Sequence, residues 1–294
     1  MIARPADPAA APAGQPPPAP GSNALSAVRR FNRFELKYLA DRRLVDRLRA
    51  ALPARLDPDP HGLDGFYPIW STYFDSPSLR FYWEKVDGEK FRRKLRIRHY
   101  GTPHDLSLDT PVWVEIKQRV NRVTQKRRVR LPYAEALRLC AGEQPDALEP
   151  RDETVANEIL DLAARNRLLP VVDVGYVREA WLGRDEDGGL RVTIDSRVRG
   201  RDRDLDLRID GEGENRFIIP PHLSVVEVKV NERAPSWLTE LIARENVSLT
   251  RISKYVQAVD AFGRHPRSLA VSADESLGLD AAQSGLMTAG ALTR

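Results

Sequence analysis

Phe34, Leu36 and Tyr38 fall on one side of an extended segment, with Arg33, Glu35 and Lys37 on the other. The same period of two recurs along the chain. Arg92, Lys94, Arg96 and Arg98 stand opposite Leu95 and Ile97, and Val112, Val114 and Ile116 oppose Trp113, Glu115 and Lys117. Lys126, Arg128 and Arg130 oppose Val129 and Leu131, and Tyr176 and Arg178 oppose Val177. Arg191, Thr193, Asp195 and Arg197 alternate with Val192, Ile194 and Val198. Leu205, Leu207 and Ile209 alternate with Asp204, Asp206 and Arg208, and Val226, Val228 and Val230 oppose Glu227 and Lys229. Each segment predicts a strand with one apolar and one charged face.

Helical spacing appears in five places. Asp41 predicts an N-cap before Leu44, Val45, Leu48 and Leu52, with Pro53 as the stop. Further helices are expected after Pro132 (to Gly142), from Asp152, from Pro235 and from Ser253 (to Gly263). Their apolar stripes read as packing surfaces.

Residues 1–25 form a Pro/Ala-rich tail, with seven Pro and seven Ala in residues 1–21, too poor in large apolar side chains to offset ordering entropy. Residues 266–294 read as a second flexible tail. Residues 26–265 remain as one domain, without a repeat or an internal linker. A single cysteine, Cys140, excludes a disulfide framework and a cysteine-based zinc site. No run approaches the ~18 apolar residues of a membrane helix, and no secretory signal opens the chain, so a cytoplasmic protein is expected.

The net charge of +4 conceals an asymmetry: residues 85–130 hold 14 Lys/Arg against 5 Asp/Glu, a net of +9, leaving −5 for the rest. A plain antiparallel sheet with one wet face accounts for any single strand. It accounts poorly for the set, since like charges on neighbouring strands repel. Closing the sheet into a barrel turns the charged face inward and leaves apolar backs for helices to cover. Such a lining suits phosphates, with arginine forks and lysine point charges. Glu35, Glu115 and Glu227 each stand two residues before a lysine. They serve either as charge balancers or as carboxylates for a hard divalent ion bridging phosphate oxygens.

At these residues the chain resembles the polyphosphate polymerase domain of the vacuolar transporter chaperone (VTC) complex, within the triphosphate tunnel metalloenzymes. The resemblance runs over about residues 29–263. It rests on Arg33-Phe34-Glu35-Leu36-Lys37-Tyr38, on Tyr73-Phe74-Asp75-Ser76 leading to Lys85, and on the run from Lys94 to Gly101. Val114-Glu115-Ile116-Lys117, the run from Arg191 to Asp195, Glu227-Val228-Lys229 and Ser253-Lys254-Tyr255 follow in order. It implies an α+β fold: a closed eight-stranded antiparallel tunnel with helices packed outside.

The resemblance places Lys37, Arg96, Arg98, Lys117 and Glu227 at the catalytic centre. Lys85, Arg178, Arg191, Lys229, Arg251 and Lys254 would hold triphosphate or growing chain, with Lys126 or Arg128 as a further basic contact. Glu227 matches a glutamate that holds Mn2+ or Mg2+. Two positions depart from the pattern, with Lys85 where arginine is common and Arg251 near a frequent lysine. The implied reaction moves the ATP γ-phosphate onto inorganic polyphosphate, releasing ADP. Eukaryotic relatives couple synthesis to a membrane part, so either a separate membrane partner or a released product is expected here.

Two other readings share the lining: a tunnel-fold triphosphatase that uses water as acceptor, and a non-catalytic binder of polyphosphate or RNA. Trp113 alone places an aromatic ring on a charged face between basic strands, where RNA readers interleave several. No DNA partner is expected. A P-loop is excluded by the lack of a Gly-Lys-Ser/Thr loop.

Overall fold

The computed structural model describes residues 34–264 except 122, 147, 210–214 and 232. The tails expected at 1–25 and 266–294, and Arg33, lie outside the described residues. The chain runs β1 (Phe34–Ala40), α1 (Arg42–Ala51), β2 (Leu56–Pro58), β3 (Phe66–Asp75), α2 (Arg80–Val86) and β4 (Phe91–Tyr100). There follow β5 (Pro111–Val120), β6 (Val123–Pro132), α3 (Tyr133–Ala141), α4 (Glu153–Asn166), β7 (Leu169–Gly183) and β8 (Arg191–Arg201). Last come β9 (Arg216–Phe217), β10 (Ser224–Val230), α5 (Ser236–Arg244) and α6 (Lys254–Ala261). Short 3-10 turns join several of these.

The caps follow the residue chemistry. The Asp41 carboxylate accepts the Leu44 N–H at 3.0 Å, and Gly142 ends α3 at φ 91°, where a side chain would be strained. None of the helices among the described residues is long and apolar enough to cross a membrane.

One antiparallel sheet orders the main strands β1-β10-β8-β7-β3-β4-β5-β6, with β2 added on β7 and β9 on β8. The strands β1 and β5 are six steps apart on that path, about 29 Å if the sheet were flat. Yet Lys117 of β5 reaches Glu35 of β1 at 3.3 Å. The sheet therefore curls almost fully round, with its charged faces inward. Among the described residues the backbone ladder ends at β1 and β6, and the Lys117–Glu35 ion pair spans the seam.

The apolar backs are covered as patterning demands. Leu44, Val45 and Leu48 of α1 and Leu238 and Ile242 of α5 pack on Val192, Ile194, Val226 and Val228. Ala136, Leu139 and Cys140 of α3 and Ile159 of α4 pack on Leu95, Ile97, Val114 and Val129. The Cys140 thiol is buried there and its pKa is pushed up by that burial, as befits a filler.

Three expectations need correction. The alternating stretch at 204–209 is not a strand but a loop, which drops Leu207 into the core and is held by Arg201 donating to the Asp206 and Ile209 carbonyls. The eighth strand is instead the central β3, between β7 and β4; from Ile69 to Asp75 it is buried on both faces and so carries no alternation. Finally, not every helix lies outside. Tyr255, Ala258 and Val259 of α6 pack with Tyr73, Val172, Val174 and Tyr176, which are on the inner face, so α6 packs against the inside of the curl and carries Lys254 inward.

Candidate active site

Pairing registers fix which side chains share the inner face. Lys37 pairs with Glu227, Glu227 with Thr193, Asp195 with Arg178, Arg178 with Tyr67, Tyr73 with Arg96 and Arg96 with Glu115. Glu115 pairs in turn with Arg128, so one belt of polar side chains runs across the eight strands.

Two carboxylate-centred groups lie on that belt. Glu227, 6% exposed, accepts from Lys37 at 2.8 Å and has Lys254 at 3.6 Å, Lys229 at 3.7 Å and Arg178 at 4.0 Å. Burial opposes its ionisation, but these four cations together hold its pKa well below the usual carboxylate range. Asp195 takes a bidentate bond from Arg178 (2.7 and 2.8 Å) and one from Lys254 at 2.5 Å. Glu35 joins Lys37 at 3.2 Å to Lys117, and although burial resists its charge, Lys117 and Lys37 draw its pKa down to about 2.

The second group centres on Glu115. Arg96 donates to it at 2.8 and 2.6 Å, Arg98 lies at 3.9 Å, and Lys126 pairs with its other oxygen. Arg96 also reaches the Tyr73 hydroxyl at 3.0 Å, and Arg98 reaches Ser71 at 3.3 Å and Tyr176 at 3.1 Å. These guanidinium groups are oriented before any ligand arrives.

A third group sets cation against cation across paired strands. Lys94 is directly opposite Lys117, Lys117 opposite Lys126, and Arg92 opposite Arg119. Lys94 donates to Ser253 Oγ at 2.5 Å and pairs with no carboxylate among the described residues. Burial, with Lys117, Lys37, Arg96 and Lys85 around it, pushes its pKa well down. Lys85 on α2 is lowered by burial and then by Arg92, Arg251 and Arg119, which places all four at one mouth of the curl.

The predicted residues thus divide. Lys37, Lys117, Arg178, Lys229 and Lys254 gather around Glu227 and its neighbours Glu35 and Asp195, while Arg96, Arg98 and Lys126 gather around Glu115. Lys85 and Arg251 belong to the mouth. Arg191 and Arg128 stand apart from both carboxylate groups, the first bonded to Asp59 at 2.8 Å and Tyr67 at 3.2 Å, the second lying over the Trp113 ring at 4.0 Å. Sequence matching by resemblance missed Lys94, Arg92, Arg119 and Asp195 as members of the site. The strand alternation already puts each on this face.

Among the described residues no three His, Cys, Asp or Glu side chains cluster as a metal site. Glu227 nevertheless lies beside Thr193, whose buried hydroxyl has no hydrogen-bond partner. One carboxylate and one orphan hydroxyl, ringed by cations, do not suit a resident ion. They fit one that arrives on a triphosphate and keeps phosphate and water oxygens as its other ligands.

Three comparisons bear on this geometry. A family model described as VTC domain matches residues 32–262. No curated protein matches the chain significantly. Among solved structures, a candidate adenylate cyclase from Bacillus halodurans aligns at 15% identity over 76% of this chain and 95% of its own, with a TM-score of 0.44. A Pyrococcus horikoshii protein aligns at 13% identity over 78% and 99%, with a TM-score of 0.37.

Proposed function

We propose that this chain, which belongs to the VTC domain family, transfers the γ-phosphate of ATP to the end of an inorganic polyphosphate chain inside the curled sheet. The observation that carries this reading is the stack of inward cations facing one another across registered positions, Lys94 against Lys117 and Arg92 against Arg119. Like charges so placed destabilise the empty fold. A ligand with many closely spaced negative charges neutralises them, and few solutes other than a phosphate chain have that charge density.

In the proposed reaction a terminal oxygen of the acceptor chain attacks the γ-phosphorus. The bond to the β,γ-bridging oxygen breaks, and that oxygen leaves with ADP. The attacking phosphate is already anionic, so no strong general base is needed. What the site must supply is in-line alignment of two repelling anions and neutralisation of the spreading charge. Arg96 and Arg98, fixed by Glu115, Tyr73, Ser71 and Tyr176, supply oriented donors. Lys37 and Lys254, held charged by Glu227 and Asp195, supply point charges. A divalent ion bound through Glu227 would add Lewis-acid neutralisation of the phosphate oxygens. On this reading the curl acts as a tunnel, its seam bridged by the Lys117–Glu35 pair.

Incubation of the purified protein with ATP and Mn2+, followed by gel detection of polymer, tests the reading directly. Long-chain polyphosphate with stoichiometric ADP is the expected product. Free phosphate alone would make the enzyme a triphosphatase, and unchanged ATP would leave only a binder.

A further inference from the structure

We infer that Tyr67, Tyr100 and Trp113 form a stacking site for the nucleobase of the triphosphate donor, so that ATP enters the curl by this mouth alone; this rests on the proposed ATP reaction. The three rings share the inner face at one end of three strands. Tyr67 is opposite Arg178, Trp113 is opposite Arg98, and Tyr100 lies two residues beyond Arg98. The Tyr67 and Tyr100 rings stand 6.0 Å apart at 52°. Tyr100 is 39% exposed and carries the Arg98 guanidinium 5.8 Å over its ring, and Tyr67 and Trp113 are half-buried, so the ring cluster is accessible at this mouth. The Arg128 guanidinium over Trp113 extends the platform with a second flat cation.

A lining that handles only phosphate has no use for ring faces, because anions avoid them. A base has such a use: aromatic rings and guanidinium planes stack on any base, with little dependence on its identity. The opposite mouth supplies the contrast. There the inner face shows Arg92, Arg119, Lys85 and Arg251, and the exposed Phe91 is on the outer parity of β4. Tyr73 and Tyr255, the nearest inner rings, are buried against each other at 5.2 Å. That mouth suits a ligand made of phosphate alone.

The two mouths therefore set a direction. The nucleoside rests on the aromatic mouth and its phosphates point inward past Arg98 and Arg96. The acceptor chain approaches from the cationic mouth, opposite the leaving ADP, as an in-line displacement requires.

The test is the ratio of affinities for ATP and for tripolyphosphate in one protein preparation, measured by calorimetry for the parent, Trp113→Leu and Tyr100→Ala. Taking the ratio cancels any shared disturbance of the phosphate grip through Arg128 or Arg98. Each variant is expected to bind ATP about tenfold more weakly relative to tripolyphosphate. A ratio unchanged in both variants overturns the inference while leaving the proposed reaction intact. A parent that binds neither ligand overturns the proposed reaction and this inference with it. Short oligoadenylate that binds the parent better than ATP and loses affinity in both variants would make the platform an RNA site, and so also overturn it.

Discussion

Glu227→Gln is expected to lower turnover by about 10²–10³-fold while binding tripolyphosphate at least as tightly as the parent. The reasoning is electrostatic. Glu227 is ringed by Lys37, Lys254, Lys229 and Arg178 at 2.8–4.0 Å, so an isosteric neutral amide leaves every cation in place and removes a charge that repels phosphate. Anion affinity then holds or rises. Turnover falls because the carboxylate beside the orphan Thr193 hydroxyl is the group that would carry a phosphate-borne ion. The empty variant should also be less stable by roughly 3 kcal/mol, since buried cations lose a counter-charge. Tripolyphosphate should restore that loss. Initial rates and a binding isotherm on the same preparation check both halves. Parallel loss of rate and affinity would mean that Glu227 merely organises the cations.

The affinity for tripolyphosphate is expected to fall about tenfold between pH 7 and pH 9, with net proton uptake on binding. Burial, only partly offset by Glu227, lowers Lys229 to about 8, against its ordinary 10.5. Lys94, Lys126 and Lys85 are lowered as well, each chiefly by burial. A polyanion favours the protonated form and raises these values again. Below pH 8 Lys229 is charged in both states and contributes its full attraction. Above pH 8 the free protein must first take up a proton, which weakens binding by up to tenfold per pH unit. The ligand-free fold behaves in the opposite sense. Between about 8 and 10.5 the unfolded chain holds more protons at Lys229 than the folded one, so that lysine's contribution to stability grows with pH across this window. Calorimetry in buffers of different ionisation enthalpy counts the protons directly. A pH-independent affinity would show that these lysines do not meet the ligand.

The period-two pattern made most of the inner wall of the curled sheet legible, because a face that is charged on every second residue survives in the sequence as alternation. The strand β3 was illegible for the converse reason: from Ile69 to Asp75 both its faces are buried, and Ile69-Trp70-Ser71-Thr72-Tyr73-Phe74 carries no charged alternation to read. Residues 204–209 show the reverse error, where alternation serves a loop that buries Leu207, half-buries Asp206 and exposes Arg208. Helix α2 also escaped notice. Its N-terminus has no capping residue in the usual place: Ser76 Oγ accepts from the Arg80 N–H at 3.0 Å, and Asp75, at the end of β3, accepts from Phe81 and Tyr82 at 2.9 Å. That carboxylate also receives the Tyr255 hydroxyl, so one motif residue ties together the helices that bear Lys85 and Lys254. Such a tie depends on contacts between residues 180 positions apart, which no local pattern reveals.

The central claim is that inward lysines and arginines are held together because a phosphate chain neutralises them. Thermal unfolding with long-chain polyphosphate, against sodium sulfate at equal ionic strength, tests it most directly. At a hundredfold excess over the dissociation constant, binding should add about 2.7 kcal/mol and raise the midpoint by roughly 5–10 °C. A midpoint that moves no more with polyphosphate than with sulfate would contradict the claim.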